Sequence, residues 1–399
     1  MSKRIGGFIN QDGLNAPDEA TGVSASAGNT EATVSFTAPS DVGGSAITGF
    51  VATSNDGIGA TGASSPITVT GLTNGTDYTF RVWALNAFGY SSPSDFSGSV
   101  SPFAPRGVFA GGTTTGAAAS NVMDFINFAG GNATDFGDLT TATNSMSAGL
   151  GSSTRGLFAT VGSSSRNSLI NYITFTTTGN ALSFGSLGRS LAQNCGCSNS
   201  VRGIFAGGVA FASPFNNIDF VTIATTGGSS DFGDLLAGLN QLGATAGTTR
   251  GIFAGGFDGG VTNVNTVQFV TINSAGNATD FGDLTTGRAA GPAGAASSTR
   301  AVFAGGQDPY ATTNIIDFVT IASAGNATDF GDLPLATTFK AGCSNSVSGV
   351  FAGGTGGGST VNVINRVIIA TAGNAADFGD LSSVRTELAA ASNVHGGIS

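Results

Sequence analysis

Apolar and polar residues alternate with period two through the first hundred positions. In "EATVSFTAP" the pattern puts Ala32, Val34 and Phe36 on one face. "AITGFVATS", "SPITVTGL" and "DYTFRVWAL" follow, separated by Gly, Ser and Asn clusters that read as turns. Seven or so short strands at this spacing predict a β-sandwich. From Arg106 the pattern changes and becomes periodic. A strand that ends in Phe-Ala-Gly-Gly in five copies, and in Phe-Ala-Thr-Val in the second, places Phe109, Phe158, Phe205, Phe253, Phe303 and Phe351 at intervals of 47 to 50 residues. A second phrase, "DFGDL" and its variants, recurs six times at Phe136, Phe184, Phe232, Phe281, Phe330 and Phe378. Between the two lies a strand such as "IDFVTI", bulky on both faces, as expected of a strand covered on both sides.

Each unit therefore holds four short strands, counting a run of small residues such as "AGAASST" before the aromatic strand. That is the size of a propeller blade. Small residues suit strands crowded around an axis, and the Gly-Gly pair supplies the positive φ for the turn after the second strand. The first unit begins at its second strand, Arg106, whereas the last runs on into "TELAAASNVHGGIS", another small-residue strand. The expected architecture is all-β: a sandwich followed by a six-bladed propeller closed by the C-terminal strand. The expected boundaries are an arm at 1–15, the sandwich at 16–103 and the propeller at 104–399, with Pro102 and Pro105 stiffening the connection.

The stretch "LTNGTDYTFRVWALNAFGYSSPS" resembles a fibronectin type III domain. Leu72 and Tyr78 match its tyrosine corner, and Phe36 stands where an early-strand Trp is usual. The six-fold unit resembles kelch repeats, whose second strand also ends in Gly-Gly.

Composition supports β structure. Glycine accounts for 64 of 399 residues, about twice the usual share of about 7%, while only three Glu and two Lys occur. The net charge of −10 argues against a phosphate-backbone partner. No apolar run approaches the length of a membrane helix, and "MSKRIGGFINQDG" has no apolar core of a secretory signal. Three cysteines do not make a disulfide framework.

Five units carry a carboxylate pair: Asp135/Asp138, Asp231/Asp234, Asp280/Asp283, Asp329/Asp332 and Asp377/Asp380. Ser183 and Ser186 replace the pair in the second unit. These acids read as turn-holding groups or as partners of the repeated Arg106, Arg155, Arg202, Arg250 and Arg300; calcium ligation is the alternative. Cys195, Cys197 and Cys343 read as small buried side chains. With His395 the sole histidine and no nucleophile or phosphate-loop motif, the expectation is a protein without catalytic residues, metal or cofactor.

The sandwich, the Gly/Thr/Asn-rich repeat and the "MSKRIGGFIN" opening together resemble virion structural proteins of tailed bacteriophages, of cyanophage type. The resemblance implies a virion component assembled in the host cytoplasm: a tail or neck fibre, a baseplate appendage or a capsid decoration. Its partners would be other virion proteins and a host-surface glycan or receptor, with no nucleic acid and no membrane insertion. It would be present in several copies or as a homo-oligomer. The loops after Gly-Gly differ most between units, and Phe211, Phe215, Phe257 and Tyr310 are their candidate sugar-stacking aromatics; filling gaps between blades is the competing role. The N-terminal segment is either a loose tail or a docking arm anchored by Ile5 and Phe8. A cellular carbohydrate-binding or adhesion protein is the second functional class, and a glycan-cleaving propeller using Asp pairs the third.

Overall fold

A computed structural model describes residues 15–145, 148–161, 168–189, 191–210, 213–260, 263–308 and 310–398. Ile5, Phe8 and Phe211 lie outside them. Every regular element among these residues is a β-strand, and the chain divides into two compact units, Met1–Ala104 and Pro105–Ser399.

The first unit is a two-sheet sandwich. β1 (Thr21–Ala27), β2 (Glu31–Thr37) and β5 (Ile67–Thr70) form one antiparallel sheet. β3 (Gly49–Ser54), β4 (Gly59–Gly62), β6 (Phe80–Asn86) and β7 (Gly89–Tyr90) form the other, in the order β4-β3-β6-β7. The alternation in β2 buries Ala32, Val34 and Phe36, and that in β6 buries Phe80, Val82 and Ala84, so the two inner faces share one core. Phe36 stacks on Phe50 with ring centroids 4.8 Å apart. Trp83 lies on the outer face of β6, opposite Val51. The Tyr78 hydroxyl accepts the Thr73 amide proton at 3.0 Å, the corner that the spacing of Leu72 and Tyr78 implied.

The second unit contains six four-stranded antiparallel sheets. In sheet one, β8 (Arg106–Ala110), β9 (Ser120–Asn127) and β10 (Thr134–Thr143) are joined by Ala389–Ser392, which pairs with β8 in the register Ala389↔Ala110, Ala391↔Val108. The first strands of sheets two to six are Gly149–Gly151, Cys195–Ser198, Gly243–Ala246, Ala293–Ala296 and Ala341–Ser344. Small residues are needed there because each of these strands lies against the first strand of a neighbouring sheet. A Cβ on Gly294 would stand 2.2 Å from the Ala244 carbonyl oxygen, and one on Gly342 2.5 Å from that of Gly294.

Six apolar clusters fill the space between sheets, each built from two successive sheets. Ile204, Ile218 and Phe232 of sheet three meet Phe253, Val270 and Ile272 of sheet four. Phe109, Ile126 and Phe128 of sheet one meet Val350, Ile364 and Phe378 of sheet six in the same way. The second-strand phenylalanines are almost wholly buried, and each removes enough apolar surface from water that truncation to Ala would cost about 3–5 kcal/mol.

"DFGD" departs from the turn expected of it. It is the core of the fourth strand, carrying a β-bulge at its phenylalanine, which the register skips just before the glycine. Gly233 has φ +148°, and a Cβ there would stand 2.5 Å from the Gly276 oxygen of the next unit, so both conformation and closeness require glycine. The Asp234 amide donates to Asn277 Oδ1, and the same bond joins Asp283 to Asn326, Asp332 to Asn374 and Asp380 to Asn132. What the phrase supplies to its neighbour is therefore backbone.

Candidate functional site

The first strands of all six sheets line a central cavity, whose two ends are built differently. At one end sits His395, which the chain carries in just after the strand Ala389–Ser392. Its Nε2 lies 2.9 Å from the Gly151 oxygen and 3.2 Å from Ser198 Oγ, while Nδ1 accepts the Gly397 amide proton. The Gly396 amide donates to the Ala296 oxygen. Residues 395–397 thus reach sheets two, three and five, and burial pulls the imidazole down to a pKa of about 4.

At the opposite end the chain enters five of the six first strands beside the loop that follows Gly-Gly. Isolated bridges join Ala192 to Val209, Asn240 to Phe257, Ala289 to Gln307, Thr338 to Thr355, and Thr386 to Thr113. Immediately after the first residue of each of these pairs stands a side-chain-bearing residue in the left-handed region: Gln193, Gln241, Ala290, Phe339 and Glu387, with φ between +55° and +59°. Backbone bonds link them in succession. The Gln241 amide donates to the Gln193 oxygen, Gly291 to Gln241, Phe339 to Ala290 and Glu387 to Phe339. The amide side chains add Gln241 Nε2 to Gln193 Oε1 at 3.3 Å and Ala290 N to Gln241 Oε1 at 3.1 Å. A conformation costing about 1–3 kcal/mol at each position persists only where surrounding bonds determine it, as this collar does.

Of the sugar-stacking candidates among the described residues, Tyr310 is 78% exposed and sits between the short strands Gln307–Asp308 and Ala311–Thr312. Phe257 is half-buried and bridges both Asn240 and Asn263 beside the collar. Phe215 is also half-buried, with the Arg189 guanidinium 5.7 Å from its ring centroid. The described parts of the loops that differ most between units therefore adjoin the collar, through Val209, Phe257, Gln307, Thr355 and Thr113.

The repeated arginines do not pair with the "DFGD" acids. Arg250 stacks over Phe269, 4.6 Å from its centroid, and donates to the Ile321 carbonyl of the next sheet at 2.8 Å. Arg106, Arg155, Arg202 and Arg300 repeat the arrangement over Phe125, Tyr172, Phe220 and Phe318. A planar guanidinium can stack and reach a carbonyl at once, which accounts for the residue type better than charge pairing does. No group of three or more His, Cys, Asp or Glu disposed to hold a metal occurs among the described residues. Cys195, Cys197 and Cys343 are buried free thiols, with Cys197 pushed up to about 12 by burial.

Sequence reasoning missed the buried charges. Arg288 pairs with Asp317 at 2.6 Å and Arg385 with Asp124 at 2.5 Å; all four side chains are fully buried. The signal was available in the third strands, which set a carboxylate or amide side chain at the same place beside bulky apolar residues: Asp124, Asn171, Asp219, Gln268, Asp317 or Asn365. Several of these accept bonds from the preceding sheet, Asp317 from Thr285 and Gln268 from the Leu236 amide. The collar gave no such signal, because Gln, Ala, Phe and Glu share a backbone conformation and nothing else.

Residues 16–98 match the fibronectin type III domain family, and the N-terminal unit is a fibronectin type III domain. No curated protein matches the chain.

Proposed function

We propose that residues 105–399 form a closed six-bladed β-propeller of kelch-like build, and that the protein is a non-enzymatic structural component of a tailed-phage particle. The collar face of the propeller is its recognition surface, turned to a host surface or to neighbouring subunits. Closure is supported by the apolar cluster between sheets six and one, by the bond from Asp380 to Asn132, and by the backbone of Ala390 against Gly149. The virion setting rests on the resemblance of the "MSKRIGGFIN" opening and the module order to phage structural proteins.

The observation that carries the recognition role is the collar. Five backbone-strained residues and the varied loops beside them share one face, while a near-invariant framework of stacked Arg and buried Phe holds that face still. Varied loops on a rigid scaffold are the usual form of a binding surface. The carboxylates of "DFGD" are instead distributed one pair to each of five sheets along the fourth strands, an arrangement unlike two acids converging on a bond to be cleaved.

Mass spectrometry of particles from the virus that encodes the chain is expected to find it at stoichiometric level. Its recovery solely from the producing cell's envelope would favour a cellular adhesion protein. Full-length protein on a glycan array and on host cells is expected to bind without turnover, and removal of the hairpin around Tyr310 to weaken that binding. Release of sugar fragments would replace this reading with a glycan-cleaving one.

A further inference from the structure

Among the described residues three cationic side chains are buried: Arg288, Arg385 and Lys340. The first two each meet a buried carboxylate. Lys340 does not. It is 4% exposed, and the one bond its ammonium makes among the described residues goes from Nζ to the Gly353 oxygen at 2.9 Å, leaving two N–H donors unused. The acid of the collar, Glu387, accepts a bond from Thr113 Oγ1 at 3.1 Å, and burial raises its carboxyl above the usual range.

What Lys340 has beside it is space. It lines the collar end of the central cavity with Asn194, Leu242, Pro292 and Leu388, and no acidic residue takes part in that lining. The volume is about 60 Å³, several times the roughly 10–15 Å³ that one water requires. The first strands are the edges of their sheets, so part of their backbone N–H and C=O groups is not used within the sheet and borders this space. An isolated buried cation is strongly disfavoured unless a counter-charge reaches it. Elsewhere in this unit the chain supplies that counter-charge itself; here it supplies a cavity.

We infer that Lys340 and the backbone N–H groups beside it bind a small monoanion, of chloride to formate size, inside the collar end of the cavity. The anion holds the amine protonated and ties sheet six to the strands around it. In its absence burial brings the amine down to about pH 7. The site does not depend on the proposed recognition role and stands whether or not the collar face meets a host.

Crystals of the full chain soaked in sodium bromide test it directly. An anomalous peak is expected in the cavity within hydrogen-bonding reach of Lys340 Nζ, and an empty cavity would overturn the proposal. Thermal melts at constant ionic strength supply the second arm. The wild type is expected to melt at least about 2 °C higher in sodium chloride or formate than in sodium gluconate, whose anion is too bulky to enter. That difference should vanish in Lys340→Met. A bromide peak together with equal anion dependence in wild type and Lys340→Met would mean an adventitious ion only. Should the variant not fold, wild-type melts from pH 6 to pH 9 take its place: the chloride effect is expected to fade as the amine loses its proton, and a pH-independent effect would overturn the site.

Discussion

Arg385 and Asp124 stand 261 residues apart in the chain and 2.5 Å apart in the fold. Both are inaccessible to solvent, and the same guanidinium also donates to the Gly111 and Val122 carbonyls. A pair so placed ties sheet six to sheet one, and its counterpart, Arg288 with Asp317, ties sheet four to sheet five.

Removing one partner leaves the other charged and buried, so Arg385→Met or Asp124→Leu alone should cost about 3–5 kcal/mol. The double variant should cost clearly less than the sum, because no unpaired charge remains. Urea denaturation of the four proteins measures this. Strict additivity would show that the pair is not coupled.

Arg250→Ala should cost about 1–2 kcal/mol through loss of its stacking on Phe269 and its bond to the Ile321 carbonyl. Arg250→Lys should recover little of that, since an ammonium is not planar. Full recovery with lysine would mean that charge alone matters at this position.

Acid should weaken the second unit through His395. Its folded pKa of about 4 lies below the ordinary 6.5, so the unfolded chain takes up the proton first as pH falls. The contribution of the neutral imidazole is therefore complete above about pH 6.5 and is lost towards pH 4, by about 3 kcal/mol in all. The difference in stability between wild type and His395→Gln should shrink over that window. A difference independent of pH would exclude burial of the neutral ring.

Truncation before Ala389 removes the first strand of sheet one together with residues 395–397 and uncovers Val108 and Phe109. Calorimetry should show the transition of residues 105–399 lost or greatly lowered, with the fibronectin type III transition retained. An unchanged upper transition would mean that the C-terminal strand is dispensable.

Asp280→Ala with Asp283→Ala should change stability by no more than about 1 kcal/mol, since neither acid is in an ion pair among the described residues. Added calcium should shift the melting temperature of neither protein. A calcium-dependent rise confined to the wild type would identify these carboxylates as ligands.

Much of this architecture was legible in the chain. Alternation identified the sandwich strands, and the spacing of Tyr78 from Leu72 located the corner that its hydroxyl closes. The six-fold period located four strands per unit, because each unit repeats one local pattern of small, aromatic, bulky and bulged strands. Local signals of that kind depend on residues a few positions apart, and a single sequence displays them. The role of the arginines was not legible, since an Asp nearby in sequence is a simpler partner than a carbonyl some seventy residues away.

Sequence by itself thus determined the elements, their order and the small-residue strands that let the six sheets approach one another. Tertiary structure alone decided which charges are buried as pairs, which lysine is left beside a cavity, and where the left-handed collar forms. The physical reason is that burial and backbone strain belong to a neighbourhood: Lys340 acquires its environment from strands of several sheets, and no stretch of chain around it records them.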